Sequence, residues 1–533
     1  MPTLTTPCTK KVAVIGSGAA GLGALWALNR TPHDVYLYEA ADRLGGHTNT
    51  VDFISGKYKT AVDTGFIVLN SATYPNFIEF LKVLDIPTVA TEMSFGVSRD
   101  QGLFEWAGTS LGAIFAQKSN VLSLRMWRMI FDIVRFNQFA LDILKNEERS
   151  RVCINGYREH DGDGAHAPKP QMTIGEYLDG EGYSDAFRDD YLIPMTAAVW
   201  STSPDKCSLG FPAATLIRFL WNHHLLSTIR ARPTWLTLKH GSKSYVDAVV
   251  KDFASDHLFL NTPVISVSNG SHGKVLVHLQ SGKVDTYDHV VLATHGDSAL
   301  QLISSTATPA EKSILSNFQT SQNTAILHSD TSLMPRRRIA WSSWNYMTLS
   351  SPYSSSVMPA RRGDINQVCL TYNMNILQHI PTSIFGDVLV TLNPLHYPPP
   401  KLVQGYYTYQ HPLYTAAAIR SQDALHQIQN KRGISYCGAW TKYGFHEDAF
   451  SSGLKVALDH LGATIPFEFK DSTFSRGKAP MLSIVNQLLR MAILIIQAFV
   501  VVVEKLYGID RHVAVGVARI ERNDGLVKAK KTD

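Results

Sequence analysis

Cysteine is scarce in this chain. Its five cysteines, Cys8, Cys153, Cys207, Cys369 and Cys437, are scattered and form no CxxC pair. That excludes a disulfide framework and a zinc ribbon, and it fits a reducing compartment. No metal site is expected. Charge is sparse too: 18% of the 533 residues are charged against 45% hydrophobic, with a net charge of +5. There is no compact Lys/Arg run with interleaved aromatics, so no nucleic-acid partner is expected. Met1–Lys10 lacks an apolar run of signal-peptide length. An intracellular protein is therefore expected, cytoplasmic or peripheral to a membrane. No internal repeat is present, which sets solenoids aside. A chain of this length exceeds one ordinary core, so two interleaved domains are expected.

What is present begins near the start. Lys11-Val12-Ala13-Val14-Ile15 is a short apolar run followed at once by Gly16-Ser17-Gly18-Ala19-Ala20-Gly21, a helical pattern, and Asp34–Glu39. Strand, glycine turn, helix, strand and acid in this order make a dinucleotide-binding βαβ unit. Gly16 permits the tight turn, Gly18 admits a pyrophosphate, and Gly21 lets helix and strand approach. The helix N-terminus favours the anion. Glu39 is placed to accept both ribose hydroxyls, with Ala40 beside it, and would repel a 2′-phosphate, which argues against NADP. Arg43-Leu44-Gly45-Gly46-His47-Thr48 follows. A plain NAD site has no use for that second glycine pair, whereas an FAD site uses it to bend the chain along the ribityl-pyrophosphate. FAD, bound non-covalently, is the expected cofactor.

The fold class expected is α/β: a doubly wound, Rossmann-type FAD domain interleaved with an α+β substrate domain. The FAD domain is read as 10–70, 240–300 and 431–465, and the substrate domain as 71–239 and 301–430. Within the second piece, Gly241–Val246 opens a helix, Pro263–Val267 is a strand, Lys274–Leu279 and Val284–Tyr287 flank the Ser281-Gly282 turn, and Asp288–His295 returns as a buried strand. In the third, Ile434–Trp440 is strand-like and a helix runs from about Ala449 to Leu461, stopped by Gly462. Tyr157–Gln171 is polar and glycine-rich and reads as an exposed loop.

Two apolar stretches stand out. Met481–Val503 is long enough to reach across a bilayer core of about 30 Å. Yet Ser483, Asn486, Arg490, Gln497 and Glu504 share a sector of about 60°. That stripe suits a helix lying in a membrane interface or docked on the protein by its polar side. The competing reading is a buried or dimer-interface helix. Arg476, Lys478, Lys505 and Lys528–Lys531 would suit anionic headgroups. The region 475–533 is set apart as this helix and its basic tail. The second stretch, Val121–Ala140, carries Arg125, Arg128, Asp132 and Arg135 on one side and Met129, Ile130, Ile133, Val134 and Phe136 on the other. It reads as a core-packed surface helix, with a membrane contact or a channel wall as alternatives.

Four further blocks sharpen the reading: Asp63-Thr64-Gly65-Phe66-Ile67-Val68-Leu69-Asn70, Pro194–Ser201, Trp341–Tyr346 and Gly438–Asp448. With the glycine motif they resemble the flavin-containing amine oxidase superfamily over about residues 10–460. More narrowly they are similar to a branch of predicted NAD/FAD-binding proteins encoded beside cyclopropane-fatty-acid synthases in bacteria. The resemblance implies that Thr64, Gly65 and Phe66 pass the isoalloxazine or ribityl chain, that Val264 meets the adenine, and that Ala293-Thr294 closes the site. It also implies a helix N-terminus aimed at the flavin pyrimidine near Asp448, where an N-cap role is equally compatible. His446 and Glu447 are ribityl contacts or surface residues. Trp344, Trp440 and Tyr443 are cage aromatics or core; Trp200, His328, Tyr372 and Asn373 are further pocket candidates.

Three departures from the family matter. His47 stands where many amine oxidases have Arg, Gly438-Ala439 where they have Gly-Glu, and Asn323–His328, matched to their lysine-bearing strand, has no lysine. No cysteine falls within Trp440–Asp448, so no thioether to the flavin is expected. The function expected is hydride transfer from a substrate C–H to flavin N5. The substrate is read as small and apolar, a lipid or fatty acyl chain, and is dehydrogenated or desaturated. An amine oxidase and a flavin-dependent isomerase or non-catalytic flavoprotein are the alternatives.

Overall fold

A computed structural model describes residues 9–146, 172–200, 209–226, 233–350, 365–477 and 483–506. The expected loop Tyr157–Gln171, Cys8, Cys153, Cys207, Ser201, Lys478 and Lys528–Lys531 lie outside them.

The first strand, Lys11–Ile15, has Val12, Ala13 and Val14 fully buried. Burial on both faces is the signature of a parallel sheet covered by helices. It sits mid-sheet, in the order Leu258–Phe259, Asp34–Tyr38, Lys11–Ile15, His289–Leu292, Ile434–Tyr436, and every pairing is parallel. Val14 lies beside both Leu37 and Val291. One sheet is thus assembled from chain segments hundreds of residues apart. Val264–Asn269 does not join it; that strand pairs antiparallel with Val275–Leu279, which pairs with Val284–Tyr287.

The helix Ala19–Leu28 is buried along all ten residues. It lies against the helix His446–Leu461, and glycine makes the crossing possible. A Cβ on Gly453 would lie 1.9 Å from the Ala20 carbonyl oxygen, and one on Gly23 would lie 2.7 Å from that of Phe450. The later helix starts at His446, three residues before the expected Ala449. Asp448 is therefore in its first turn, accepting the Phe445 N–H at 3.0 Å, and is not the cap residue. Gly462 ends the helix with φ +63, in the left-handed conformation that favours glycine.

The second body is a seven-stranded mixed sheet, ordered Val403–Leu413, Gln319–His328, Leu389–Leu392, Ile365–Asn373, Trp344–Ser350, Phe95–Arg99, Phe104–Ala107. Helices including Ile193–Trp200 and Ala213–Asn222 pack around a separate aromatic core. The helix Leu124–Phe139 is shorter than the expected 121–140, because Lys118–Leu122 forms a 3-10 turn. Arg125 on its charged side is exposed, but the rest of that side is not. Asp132 is fully buried, bonded to Arg128 at 2.9 Å and to the Ser184 N–H at 2.9 Å, and Arg135 is buried beside it.

The C-terminal helix, Ile484–Leu506, is long and apolar enough to cross a membrane by length and composition. It lies on the body by its polar stripe. Arg490 grips both Asp142 oxygens at 3.0 Å, bonds the Gln138 carbonyl and covers the Phe139 ring; Ile493 is buried below it. Leu488, Met491, Leu494, Ile495 and Phe499 are exposed. The buried-helix reading is set aside: the outer face is the apolar one.

Candidate active site

The glycine turn creates the site by leaving room. Gly16 has φ +98, and a Cβ there would meet the Ala293 oxygen at 2.8 Å. Gly21 would put a Cβ 1.9 Å from the Gly16 oxygen. Gly18 is the opposite case: nothing lies within 4 Å of its would-be Cβ. It is the N-cap of Ala19–Leu28, whose first turn carries no acid. The free N–H groups there face open space, an anion cradle. Gly46, at φ +57, backs onto the Gly18 Cα.

Glu39 closes this end. One carboxylate oxygen accepts the Ser17 N–H at 2.9 Å and hydroxyl at 2.5 Å; the other accepts the Ala41 N–H at 2.9 Å. From here a cavity of about 760 Å³ runs toward the seven-stranded sheet. Gly16, Ser17, Gly18, Ala19, Ala20, Glu39, Ala40, Gly45, Gly46, His47, Gly65, Phe66, Val264, Ala293, Thr294 and His446 line it. Gly21, Arg43, Thr48, Thr64, Glu447 and Asp448 stand behind the lining. Arg43 ties the loop by bonding the Gly46 carbonyl at 2.8 Å. Thr48 and Thr64 bond the hydroxyls of Tyr245 and Tyr409, each at 2.7 Å. Glu447 accepts the Asn76 and Phe77 N–H groups at 3.1 and 2.9 Å, so it caps the helix Pro75–Val83. Burial pushes the Glu447 carboxyl up to about 7 and that of Asp448 up to about 6.

Histidines crowd the middle of the cavity. His47 lies 5.1 Å from His411 and 6.1 Å from His295, ring centre to ring centre. Burial and these neighbours hold it neutral, and its Nε2 finds no partner among the described residues. A buried, unsatisfied ring nitrogen beside an open cradle is what a ligand would complete. His446 stacks on Phe66 at 3.7 Å and meets the Tyr245 hydroxyl at 3.0 Å; burial lowers it to about 3.

A chain of amides fixes the proton of His411. The Thr324 N–H donates to Asn393 Oδ1 at 3.1 Å, which turns the Asn393 Nδ2 toward Asn323 Oδ1 at 2.7 Å. Asn323 Nδ2 then donates to His411 Nδ1 at 2.8 Å. Nδ1 is bare, burial keeps the ring neutral with its pKa down to about 4, and the proton sits on Nε2.

Among the pocket candidates, Trp200, Trp344, Tyr372 and Trp440 line the cavity. Trp344 and Tyr372 meet edge to face at 5.1 Å, and the Trp344 indole N–H is buried with no partner among the described residues. Trp440 is 2% exposed and donates to the Thr294 carbonyl at 2.9 Å, so its polar end is already used. His328, Asn373 and Tyr443 do not line the cavity. His328 is fully buried between Thr391 Oγ1 at 2.7 Å and the Asp330 N–H at 3.0 Å, a core histidine held near 4 by burial. Asn373 caps the helix Met374–Leu377. Tyr443 packs in the helical core and offers its carbonyl to the Trp200 indole. The strand Gln319–His328 contributes no lining residue, so its lack of lysine decides nothing. Among the described residues the lining holds no Lys or Arg, and its one carboxylate is Glu39.

Sequence reasoning missed His295, Gln410, His411, Phe219 and Phe445, all of which line the cavity. His295 directly follows Thr294 and Phe445 directly precedes His446, so both were within reach. Gln410 and His411 come from an edge strand of the other sheet and carry no local signal.

A family model described as flavin containing amine oxidoreductase matches residues 19–459. The chain belongs to that family. Solved structures with the same fold include a CLA-producing fatty acid isomerase from P. acnes, at 14% identity and TM-score 0.54, covering 84% of this chain and 98% of that one. Cyclohexylamine oxidase from Brevibacterium oxydans IH-35A gives 13% identity and TM-score 0.56, covering 85% and 99%. Reduced UDP-galactopyranose mutase gives 16% and 0.54, covering 88% and 98%. The protein is an FAD-dependent oxidoreductase of the amine oxidase superfamily. The open cradle at Gly18, the uncapped helix end and the unsatisfied His47 all fit the cofactor.

Proposed function

We propose that this flavoenzyme dehydrogenates or desaturates an apolar, lipid-like substrate, a fatty acyl chain being the best fit. The observation that carries the reading is the lining of the cavity beyond the histidines. It is built from Met93, Val199, Trp200, Phe219, Leu225 and Trp344, with no charged side chain among the described residues of that half. Such a wall binds hydrocarbon and excludes water. FAD supplies a hydride acceptor. The chain supplies placement. The N-terminus of His446–Leu461 offers a positive dipole end for charge arriving on the cofactor. His411 presents a donor, and the Trp344 N–H is free to hold a carbonyl or carboxylate oxygen of the substrate. The outward apolar face of Ile484–Leu506 fits a membrane interface from which such a substrate would come.

Amine oxidation is the second reading, supported by the Trp344–Tyr372 edge-to-face pair. One anaerobic experiment separates the readings. Purified protein is mixed with acyl lipids and with amines while the oxidised-flavin band near ~450 nm is followed. Bleaching by acyl lipids supports the proposal; bleaching by amines alone overturns it. A flavin that dithionite reduces but neither class bleaches would point to an isomerase or a structural flavin.

A further inference from the structure

We infer that a second surface, distinct from the C-terminal helix residues that face outward, docks this protein onto an anionic lipid bilayer. Its apolar part is Leu103, Leu111, Leu122, Leu124, Trp127 and Ile339. Its basic rim is Lys118, Arg336 and Arg338.

Leu122 is 89% exposed, Leu124 83%, Leu103 78% and Leu111 74%. Single exposed leucines are ordinary; a contiguous group is not. Three chain segments meet to make this one. Gln117 Nε2 donates to the Leu103 carbonyl at 2.7 Å, joining the 103 loop to the 111–127 segment. The Phe115 and Trp127 rings lie 5.4 Å apart. A Cβ on Gly112 would touch Ile339 at 3.3 Å, and the Arg336 stem covers Gly102. The presentation is rigid. Ser110 and Ser123 each cap a helix, accepting the N–H of Ala113 and Met126, and in both cases the next residue is an exposed leucine, Leu111 and Leu124. The Trp127 indole donates to the Val121 carbonyl at 2.7 Å, so the ring can enter an apolar phase with its polar atom satisfied.

The charge around the patch is mainly basic, although Asp387 lies 3.7 Å from Arg338. Within 101–127 and 331–341 the sequence has one acid, Glu105. It is fully buried and held by Arg337 at 2.8 Å and Ser98 at 2.9 Å. Lys118, Arg336 and Arg338 are exposed, and Arg338 lies over the Trp341 ring at 4.5 Å. An apolar centre with a rim that stays net basic with Asp387 counted matches an anionic lipid surface. Trp344, five residues after Ile339 in the chain, lines the cavity. Leu124–Phe139 joins the patch at one end to the Arg490 contact at its other end, so both apolar surfaces are built on one element.

The test uses the full-length flavin-loaded protein sedimented with vesicles of phosphatidylcholine, alone or mixed with phosphatidylglycerol. Basic residues at such a surface are each worth roughly fivefold in partition. Lys118→Ser with Arg336→Ser should therefore lower binding to mixed vesicles about 25-fold and leave binding to phosphatidylcholine alone unchanged. Leu122→Ser with Leu124→Ser should lower both by at least about tenfold. Ile495→Ser with Phe499→Ser, on the C-terminal helix, should leave a residual binding that still requires anionic lipid and still weakens as salt rises. These side chains are exposed, so flavin content reports that the fold is intact. Patch variants that bind like the parent overturn the inference. So does a parent that ignores lipid charge, and so does a patch variant that alters oligomeric state while sparing vesicle binding, which would make the face a protein interface. None of these readouts depends on the substrate.

Discussion

Two glycine-to-alanine substitutions separate the space kept for the cofactor from the space kept for the fold. At Gly18 a methyl group meets no protein atom within 4 Å, and φ is −63, which alanine adopts without strain. The cost to the apoprotein is limited to exchanging a glycine cap for an alanine cap, at most about 1 kcal/mol. The cost to a bound pyrophosphate is that of overpacking, about 1–3 kcal/mol, or roughly 5- to 150-fold in affinity. Gly453→Ala reverses the assignment. Its Cβ would be 1.9 Å from the Ala20 oxygen, and contacts under 3.0 Å essentially never occur, so two buried helices must separate by about 1 Å. Alanine would gain about 1 kcal/mol of helix propensity. The backbone clash outweighs that gain because neither partner is the end of a flexible side chain, and it damages fold and cradle together. The assay is thermal unfolding of the apoprotein beside titration with FAD. Gly18→Ala should unfold within a few degrees of the parent yet bind FAD much more weakly, and Gly453→Ala should lose on both axes. A Gly18→Ala protein that binds FAD normally, or a Gly453→Ala protein that is stabilised, would refute the placement of the cradle.

Asn323→Asp should reverse the tautomer of His411, because a carboxylate accepts from Nδ1–H and favours the charged ring. The acid limb of the kcat profile should then move up by at least about one pH unit, and an unmoved limb would deny His411 any contact with the reacting groups. Trp344→Phe keeps the aromatic wall but removes the unpartnered N–H; KM for an acyl substrate should rise about tenfold with kcat little changed, the mark of a binding contact. Stability should fall as pH drops from about 7.5 to 5.5. His223, His328 and His411 are held near 4, and His289 and His446 near 3, each by burial. A lowered histidine binds its proton in the unfolded chain first, so its stabilisation is lost below about 6.5, at about 1.4 kcal/mol per group and pH unit. Asp63, Asp448 and Glu447, raised to about 6, 6 and 7, act in the opposite sense over the same range, gaining stability as pH falls. Being fewer, they recover only part of the loss. A denaturant midpoint that is flat or rises toward pH 5.5 would contradict this balance.

The strand, glycine turn and helix at the start were legible because their physics is local. Gly16, Gly18 and Gly21 act within one turn, and Glu39 reaches Ser17 across a single strand pair. A pattern of a few adjacent residues carries the whole requirement. Asp448 shows the limit of such reading. Its role as a cap was right in kind and wrong in place, since the helix begins at His446 and the carboxylate reaches back to the Phe445 N–H from within the first turn.

The far half of the cavity was legible only in part, for a reason of geometry. Trp344 and Tyr372 stand in register on neighbouring strands, and Phe219 and Phe445 stack at 5.0 Å across more than two hundred residues. Nothing in the sequence around any of them marks the meeting. His328 failed in the converse way. A histidine on an apolar strand looks like a pocket group, yet Thr391 on the neighbouring strand and the Asp330 N–H two residues on take up both its nitrogens.

The C-terminal helix makes a sharper case. Its period placed Asn486, Arg490 and Gln497 on one side correctly, but periodicity fixes an angle and not a direction. Arg490 settles the direction: a guanidinium shared between Asp142 and the Gln138 carbonyl is stable only against the body, which forces the leucines and isoleucines outward. Arg490→Leu would remove that constraint. The helix should then detach or roll, and protease cleavage between residues 470 and 484 should accelerate, while a helix held mainly by its own apolar contacts would keep the parental cleavage rate.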